Sequence, residues 1–208
     1  MTTSKANSTI YIVDDDEAVR DSLQWLLEAN GYHVQCFAGG EAFLNVYDPD
    51  HVGVLIVDVR MPGMSGLELQ EILIQRDAPL PIVFITGHGD VPMAVSTMKK
   101  GAVDFLEKPF NESELRTIVA RMLVDAQERV KQARLARSHQ AILSRLTTRE
   151  QQVLERIVAG RLNKQIAGDL SISIKTVEAH RANIMEKLEV TTVADLMKIA
   201  LNQAETSE

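Results

Sequence analysis

The sequence predicts a doubly wound α/β domain on a five-stranded parallel sheet, joined by a helical linker to an all-α domain of four helices. Three observations predict it. Short apolar runs alternate five times with segments of helical periodicity across residues 9–122, the pattern of a parallel sheet covered on both faces. From residue 143 onward only the helical period remains. Polar side chains cluster where the apolar runs end, as expected of the carboxyl edge of an open sheet, where ligands bind.

Taken in order, Thr9-Ile10-Tyr11-Ile12-Val13 is a strand running into Asp14-Asp15-Asp16. Glu17 to Asn30 is a helix, with Val19, Leu23, Leu26 and Leu27 on one face and Gly31 as its stop. Tyr32 to Phe37 alternates like a strand, and Gly39-Gly40 opens a short helix through Tyr47. Val54-Leu55-Ile56-Val57 is a buried strand ending at Asp58 and followed by the turn residues Met61-Pro62-Gly63-Met64-Ser65-Gly66. A helix over Leu67 to Gln75 leads to the strand Pro81-Ile82-Val83-Phe84-Ile85, which ends at Thr86. A helix over Val91 to Lys100 stops at Gly101, and Val103 to Leu106 is the last strand. Asn111 caps the next helix, with Glu112 and Glu114 in its first turn.

From Glu112 to Leu143 there is neither Gly nor Pro. The polar stretch Val124 to Arg134 favours helix by propensity, as a continuation of the preceding helix or as a flexible linker with helical bias. We therefore divide the chain into residues 1–122, a linker over 123–142 and a second domain over 143–208. That domain reads as helices over Thr148 to Ala159, Asn163 to Leu170, Ile174 to Leu188 and Val193 to Asn202. Thr147 or Thr148 with Glu150 or Gln151 fits a capping box, and Ser171 or Ser173 caps the longer helix. Two short helices joined by a tight turn form a helix-turn-helix.

Composition narrows the function classes. The chain of 208 residues is 45% hydrophobic and 25% charged, ordinary for a globular protein. Its lone cysteine, Cys36, forbids an intramolecular disulfide and suits a reducing compartment. The first residues have no apolar core like that of a signal peptide, and no apolar run reaches membrane-spanning length. A cytoplasmic protein is expected. The net charge of -7 hides an asymmetry: residues 1–124 carry 9 Lys and Arg against 18 Asp and Glu, while residues 129–204 carry 13 against 7. A basic second half points to a polyanionic partner.

At the sheet edge, several carboxylates repel one another, and a divalent cation relieves the repulsion. Hard oxygen ligands suit Mg2+, which is usually held by one or two carboxylates together with a phosphoryl oxygen. A carboxylate such as Asp58 can attack phosphorus to form an aspartyl phosphate. Lys108, in Glu107-Lys108-Pro109-Phe110, is placed to neutralise the phosphoryl oxygens, and Thr86 offers them a hydroxyl. An Asp-nucleophile phosphohydrolase would need an acid/base carboxylate two residues after the nucleophile, where Arg60 stands; no enzyme is expected.

The stretches Val13-Asp14-Asp15, Val57-Asp58 with Met61 to Gly66, Ile85-Thr86-Gly87, Gly101-Ala102 and Lys108-Pro109 resemble the receiver domain of two-component response regulators. The resemblance implies a flavodoxin-like fold and a phosphoryl group accepted on Asp58 from a sensor histidine kinase. It implies Mg2+ held by Asp15, Asp58 and the backbone carbonyl of Arg60, with Asp14 acting mainly through water. It also implies a cis Lys108–Pro109 bond, and Thr86 and Phe105 as a switch pair in which the ring turns inward when the hydroxyl moves to the phosphoryl group. His88 and Arg60 flank the site.

In the second half, Val177, Ile184 and Leu188 share the buried face of the longer helix, leaving Lys175, Glu178, Ala179, Ala182 and Asn183 outward. Glu178 suits cytosine N4, and Ala179 and Ala182 allow close approach to the groove and contact with a thymine methyl. Lys164, Lys175, Thr176 and Arg181 suit phosphates. The residues Leu146-Thr147, Arg149-Glu150, Val153-Leu154, Gly160, Asn163-Lys164, Ile166-Ala167, Leu170, Ile172-Ser173, Lys175 to Glu178, His180-Arg181 and Lys187-Leu188 resemble the LuxR-type helix-turn-helix. Both halves in this order resemble the FixJ/NarL class of response regulators, nearer FixJ by the segment Gly87 to Ala94. The class implies double-stranded promoter DNA, RNA polymerase and, once phosphorylated, a second copy of the chain as partners. The homodimer would be favoured by a change in the face around Met93 to Lys100 and Val103 to Phe105.

Overall fold

The computed structural model describes residues 8–87, 98–99, 101–102 and 104–201. The chain divides into two compact units, residues 1–132 and 133–208.

In the first unit the strands are β1 (Ser8–Val13), β2 (His33–Phe37), β3 (Val52–Asp58), β4 (Ile82–Thr86) and β5 (Asp104–Glu107). All pair in parallel, in the order β2-β1-β3-β4-β5, so the order reverses beside β1 and β3. That reversal is the switch point at which open α/β sheets bind ligands. The helices α1 (Glu17–Ala29), α2 (Gly40–Leu44), α3 (Gly66–Gln75) and α4 (Glu112–Leu143) connect or follow them. The helix expected over 91–100 lies outside the described residues apart from Met98 and Lys99, both helical. Val103, the expected start of β5, also lies outside them.

The continuous apolar runs have a structural cause. Side chains alternate between the faces of a strand, and here both faces are covered. Ile10, Ile12, Val54, Ile56, Val83 and Ile85 join Leu23 and Leu27 of α1 and Leu115, Val119 and Met122 of α4 in one core. Their neighbours Tyr11, Val13, Leu55, Val57, Ile82 and Phe84 join Phe43 of α2 and Leu69 and Leu73 of α3 in the other. At about 1.5–3 kcal/mol per fully buried large apolar side chain, these two layers hold the strand ends in place.

Local chemistry sets the helix starts. Asp16 caps α1 by accepting from the Ala18 N–H (2.9 Å). Ser65 and Glu68 form a capping box on α3. Gly66 is required for packing: a Cβ there would run into the backbone carbonyl of Asp58. The Gly66 N–H also donates to the Val59 carbonyl (3.0 Å), so the start of α3 is fastened to the loop after β3. The polar stretch left open between helix and linker is helical, since α4 runs unbroken from Glu112 to Leu143.

The second unit is helical after α4: α5 (Thr148–Val158), α6 (Asn163–Leu170), α7 (Ile174–Lys187) and α8 (Val193–Leu201). Its core gathers Leu146, Val153, Leu154, Ile157, Ile166, Val177, Ile184, Leu188 and Leu196. Of the two cap pairs open in the sequence, Thr147 with Glu150 forms the box, and Ser173 caps α7. Ser171, in the turn, takes the left-handed conformation (φ 54°), which reverses the chain between α6 and α7.

Candidate functional site

The carboxyl ends of β1, β3 and β4 bring Asp14, Asp58 and Thr86 to one edge. All three are buried, at 3%, 8% and 1% exposure. Lys108 follows β5, and its backbone N–H donates to the Thr86 carbonyl (2.8 Å), which ties its loop to β4. The Lys108–Pro109 bond is cis.

The Lys108 ammonium bridges two carboxylates. Nζ lies 2.8 Å from Asp14 Oδ2 and 3.2 Å from Asp58 Oδ1. The other oxygen of each carboxylate accepts a backbone N–H: Asp58 Oδ2 from Arg60 (2.7 Å) and Asp14 Oδ1 from Asp16 (2.9 Å). Arg20 donates to the Asp14 carbonyl (2.8 Å) and so braces the loop from behind. Burial pushes the Asp58 carboxyl above its ordinary pKa. The Arg60 N–H and Lys108 pull it back, and the Asp14 charge pushes it up again, so it stays raised. Burial alone would lower the Lys108 ammonium, but its bonds to Asp14 and Asp58 outweigh this and leave it raised. The charged form of the lysine is therefore firmly held, and that of Asp58 is costly.

Asp15 is exposed and does not join this bridge. Among the described residues, no three Asp, Glu, His or Cys side chains converge as a metal-binding group. The ammonium between Asp14 and Asp58 supplies positive charge to two of the carboxylates gathered at this edge. A hard cation that keeps most of its waters needs only one or two carboxylates and a carbonyl. The remaining donor set at this edge, Asp15, Asp58 and the Arg60 carbonyl, consists of oxygens of that kind and fits Mg2+.

Phe105 lies on β5 beside Phe84, half-buried against the α2–α3 core. His88 lies outside the described residues.

In the helical unit the expected outward face is present on α7. Lys175, Glu178, Ala179, Ala182 and Asn183 are exposed, and Thr176 and Arg181 are half-buried. Val177 and Ile184 are fully buried beneath them. Lys164 is exposed on α6. Two residues that the sequence reading used only for resemblance or capping hold this frame. Arg149 donates to the Leu170 carbonyl at the end of α6 (2.5 Å), and Lys187, at the end of α7, donates to the buried Glu150 (Nζ–Oε2 2.6 Å). Burial alone would raise the Glu150 carboxyl. The Lys187 ammonium and the backbone and hydroxyl donors of Thr147 overcome that and lower it to about 2. A capping-box signal in the sequence pointed to Glu150, but no local pattern pointed to Lys187 as its partner.

Two sequence-family profiles match the chain: residues 10–120 match "Response regulator receiver domain" and residues 144–200 match "Bacterial regulatory proteins, luxR family". The transcriptional regulatory protein FixJ of Bradyrhizobium diazoefficiens is 42% identical over 192 residues, 92% of this chain and 94% of that protein. The response regulator protein TmoT of Ectopseudomonas mendocina is 46% identical, covering 92% and 87%. Among solved structures, the response regulator StyR superposes with a TM-score of 0.71 at 45% identity, covering 93% of this chain and 98% of that one. Full-length FixJ from B. japonicum superposes with a TM-score of 0.54 at 40% identity, covering 95% and 97%.

Proposed function

The chain belongs to the two-component transcriptional response regulators of the FixJ kind, with a receiver domain and a LuxR-type DNA-binding domain, and we propose that Asp58 is its phosphoacceptor. The observation that carries this is the Lys108 ammonium held between Asp14 and Asp58 at the switch point of the sheet. In the reaction, an Asp58 carboxylate oxygen attacks the phosphorus of a phosphohistidine on the sensor kinase. An O–P bond forms, the N–P bond breaks and the electron pair returns to the histidine nitrogen. Arg60 N–H fixes the carboxylate oxygen that does not attack. Lys108 is in reach to neutralise a phosphoryl oxygen as it arrives.

Asp15, Asp58 and the Arg60 carbonyl would hold Mg2+, with Asp14 acting through water. When bound, the ion supplies positive charge for the phosphoryl oxygens. Thr86 and Phe105 form the switch pair, and the consequence is a homodimer made by the receiver. Residues 1–122 act as receiver, 123–142 as linker and 143–208 as DNA-binding domain.

Lys164, Lys175, Thr176 and Arg181 hold phosphates of promoter DNA, while Glu178, Ala179 and Ala182 face base edges. RNA polymerase is the further partner, and the cytoplasm is the compartment. No helix among the described residues is long and apolar enough to cross a membrane. The protein acts as a regulator and not as an enzyme.

Incubation with acetyl phosphate and Mg2+, followed by intact-mass measurement, tests the reading. A labile phosphoryl adduct is expected on the wild type, together with tighter promoter binding, and no adduct on Asp58→Ala. An unmodified wild type, or an adduct that persists in Asp58→Ala, would overturn it.

A further inference from the structure

Among the described residues of the helical unit, the large apolar side chains left exposed are Leu135, Leu162, Ile174 and Val193. Isolated exposed apolar side chains are common; what distinguishes Ile174 is its position. It is the first residue of α7 and is 45% exposed, on the helix whose outward face carries Lys175, Glu178, Ala179 and Ala182. The N-terminal residues of such a helix are those that meet base edges.

The polar groups of that first turn are committed elsewhere. Ser173 Oγ accepts the Thr176 N–H (3.0 Å), and the Ser173 and Thr176 hydroxyls bond each other (2.8 Å). Ser173 thus serves the helix start, and the Thr176 hydroxyl bonded to it is assigned above to a phosphate and not to a base. Lys175 is a flexible cation, better suited to a phosphate than to a base. That leaves Ile174 as an apolar group without a core to join, at the end of the helix that would enter the groove. The thymine C5 methyl is the apolar feature that the major groove presents.

We propose that Ile174 is a specificity-determining residue that reads a thymine methyl in each half-site. The proposal rests on the DNA-binding reading above and names one of its base contacts. Contact with a methyl carries sequence information that phosphate contacts lack. It predicts a preference for one T·A pair beside the bases faced by Glu178, Ala179 and Ala182.

The test uses the full chain with acetyl phosphate and Mg2+. A binding motif is selected from random DNA duplexes, and each thymine in it is then replaced singly by deoxyuridine, which keeps the pairing and removes the methyl. At least one replacement per half-site is expected to weaken the wild type about fourfold, the worth of one buried methyl, and at that position to leave Ile174→Ala unaffected, while any methyl met by Ala179 or Ala182 stays sensitive in both. Ile174→Val, which keeps an apolar branch, should retain the sensitivity. Alanine is a good helix former and Ile174 is exposed, so an unchanged melting curve shows that Ile174→Ala keeps its fold. Lys175→Ala should weaken all duplexes alike while the uracil effect persists. The inference fails if no replacement weakens the wild type, or if every replacement that does so weakens Ile174→Ala equally. A wild type that enriches no motif overturns the DNA-binding reading, and this inference with it.

Discussion

Each unit contains a lysine bound to a buried carboxylate, and the two carboxylates respond in opposite directions. In the receiver, Lys108 is shared between Asp14 and Asp58, and the Asp58 pKa is raised. In the helical unit, Lys187 serves Glu150 alone, and Glu150 falls to about 2. Burial opposes the charge in both. The balance is tipped by the number of donors per acid and by the presence of a second acid. Glu150 Oε2 gathers an ammonium, a backbone N–H (2.8 Å) and a hydroxyl (2.9 Å). Asp58 has one N–H, half a lysine and a neighbouring negative charge. A lysine–carboxylate bond can therefore lock a fold or hold an acid in readiness, and the surrounding donors decide which.

Acid should separate the two units most strongly. The folded pKa of Glu150 is depressed, so its contribution is complete above the ordinary value of 4.5 and is lost as pH falls toward about 2. The difference corresponds to about 3 kcal/mol. Chemical denaturation followed through the amide signals of α5 and α7 should show that loss across this window, and Glu150→Gln should flatten it.

Lys187→Met comes next. It strands Glu150 with its Thr147 donors alone and should cost the helical unit about 2 kcal/mol at neutral pH, since the ammonium is partly open to water. The same denaturation measures it.

Asp58→Asn should act in the other direction. A carboxyl with a raised folded pKa weakens the fold at pH above that pKa, and an amide relieves the strain. Lys108 keeps Asp14. The receiver should gain about 1 kcal/mol or less, seen as a higher thermal midpoint. A loss of stability would break the comparison.

Arg145→Ala provides the baseline. Its partner Glu189 lies 3.2 Å away, but both side chains are mostly exposed, so removal should shift stability by less than about 0.5 kcal/mol.

These contrasts also mark where the sequence was legible. β1, β3 and β4 stood out because strands buried on both faces read as unbroken apolar runs. Glu150 was visible through its capping box, a pattern four residues long. Local patterns could not show which acids share Lys108, since its partners lie 94 and 50 residues away, or that Lys187 reaches back 37 residues to Glu150. Such pairs are made by tertiary packing, which no window of sequence contains. The run Asp14-Asp15-Asp16 carries no local mark of which acid is buried: Asp14 is and Asp15 is not, because adjacent residues at a strand end point in different directions. The stretch over 123–142 was undecided because helix propensity in polar sequence is a weak prior.

Gly66 has a consequence for motion. With a single hydrogen for its side chain, the first turn of α3 rests directly against the Asp58 carbonyl, and no pliable group lies between them to be compressed. Close-packed interiors pass displacement on instead of absorbing it. A shift of the acid's backbone toward α3 therefore pushes the whole helix, and the bare backbone at position 66 acts as a stiff joint between the chemistry at the sheet edge and the outer layer of the receiver.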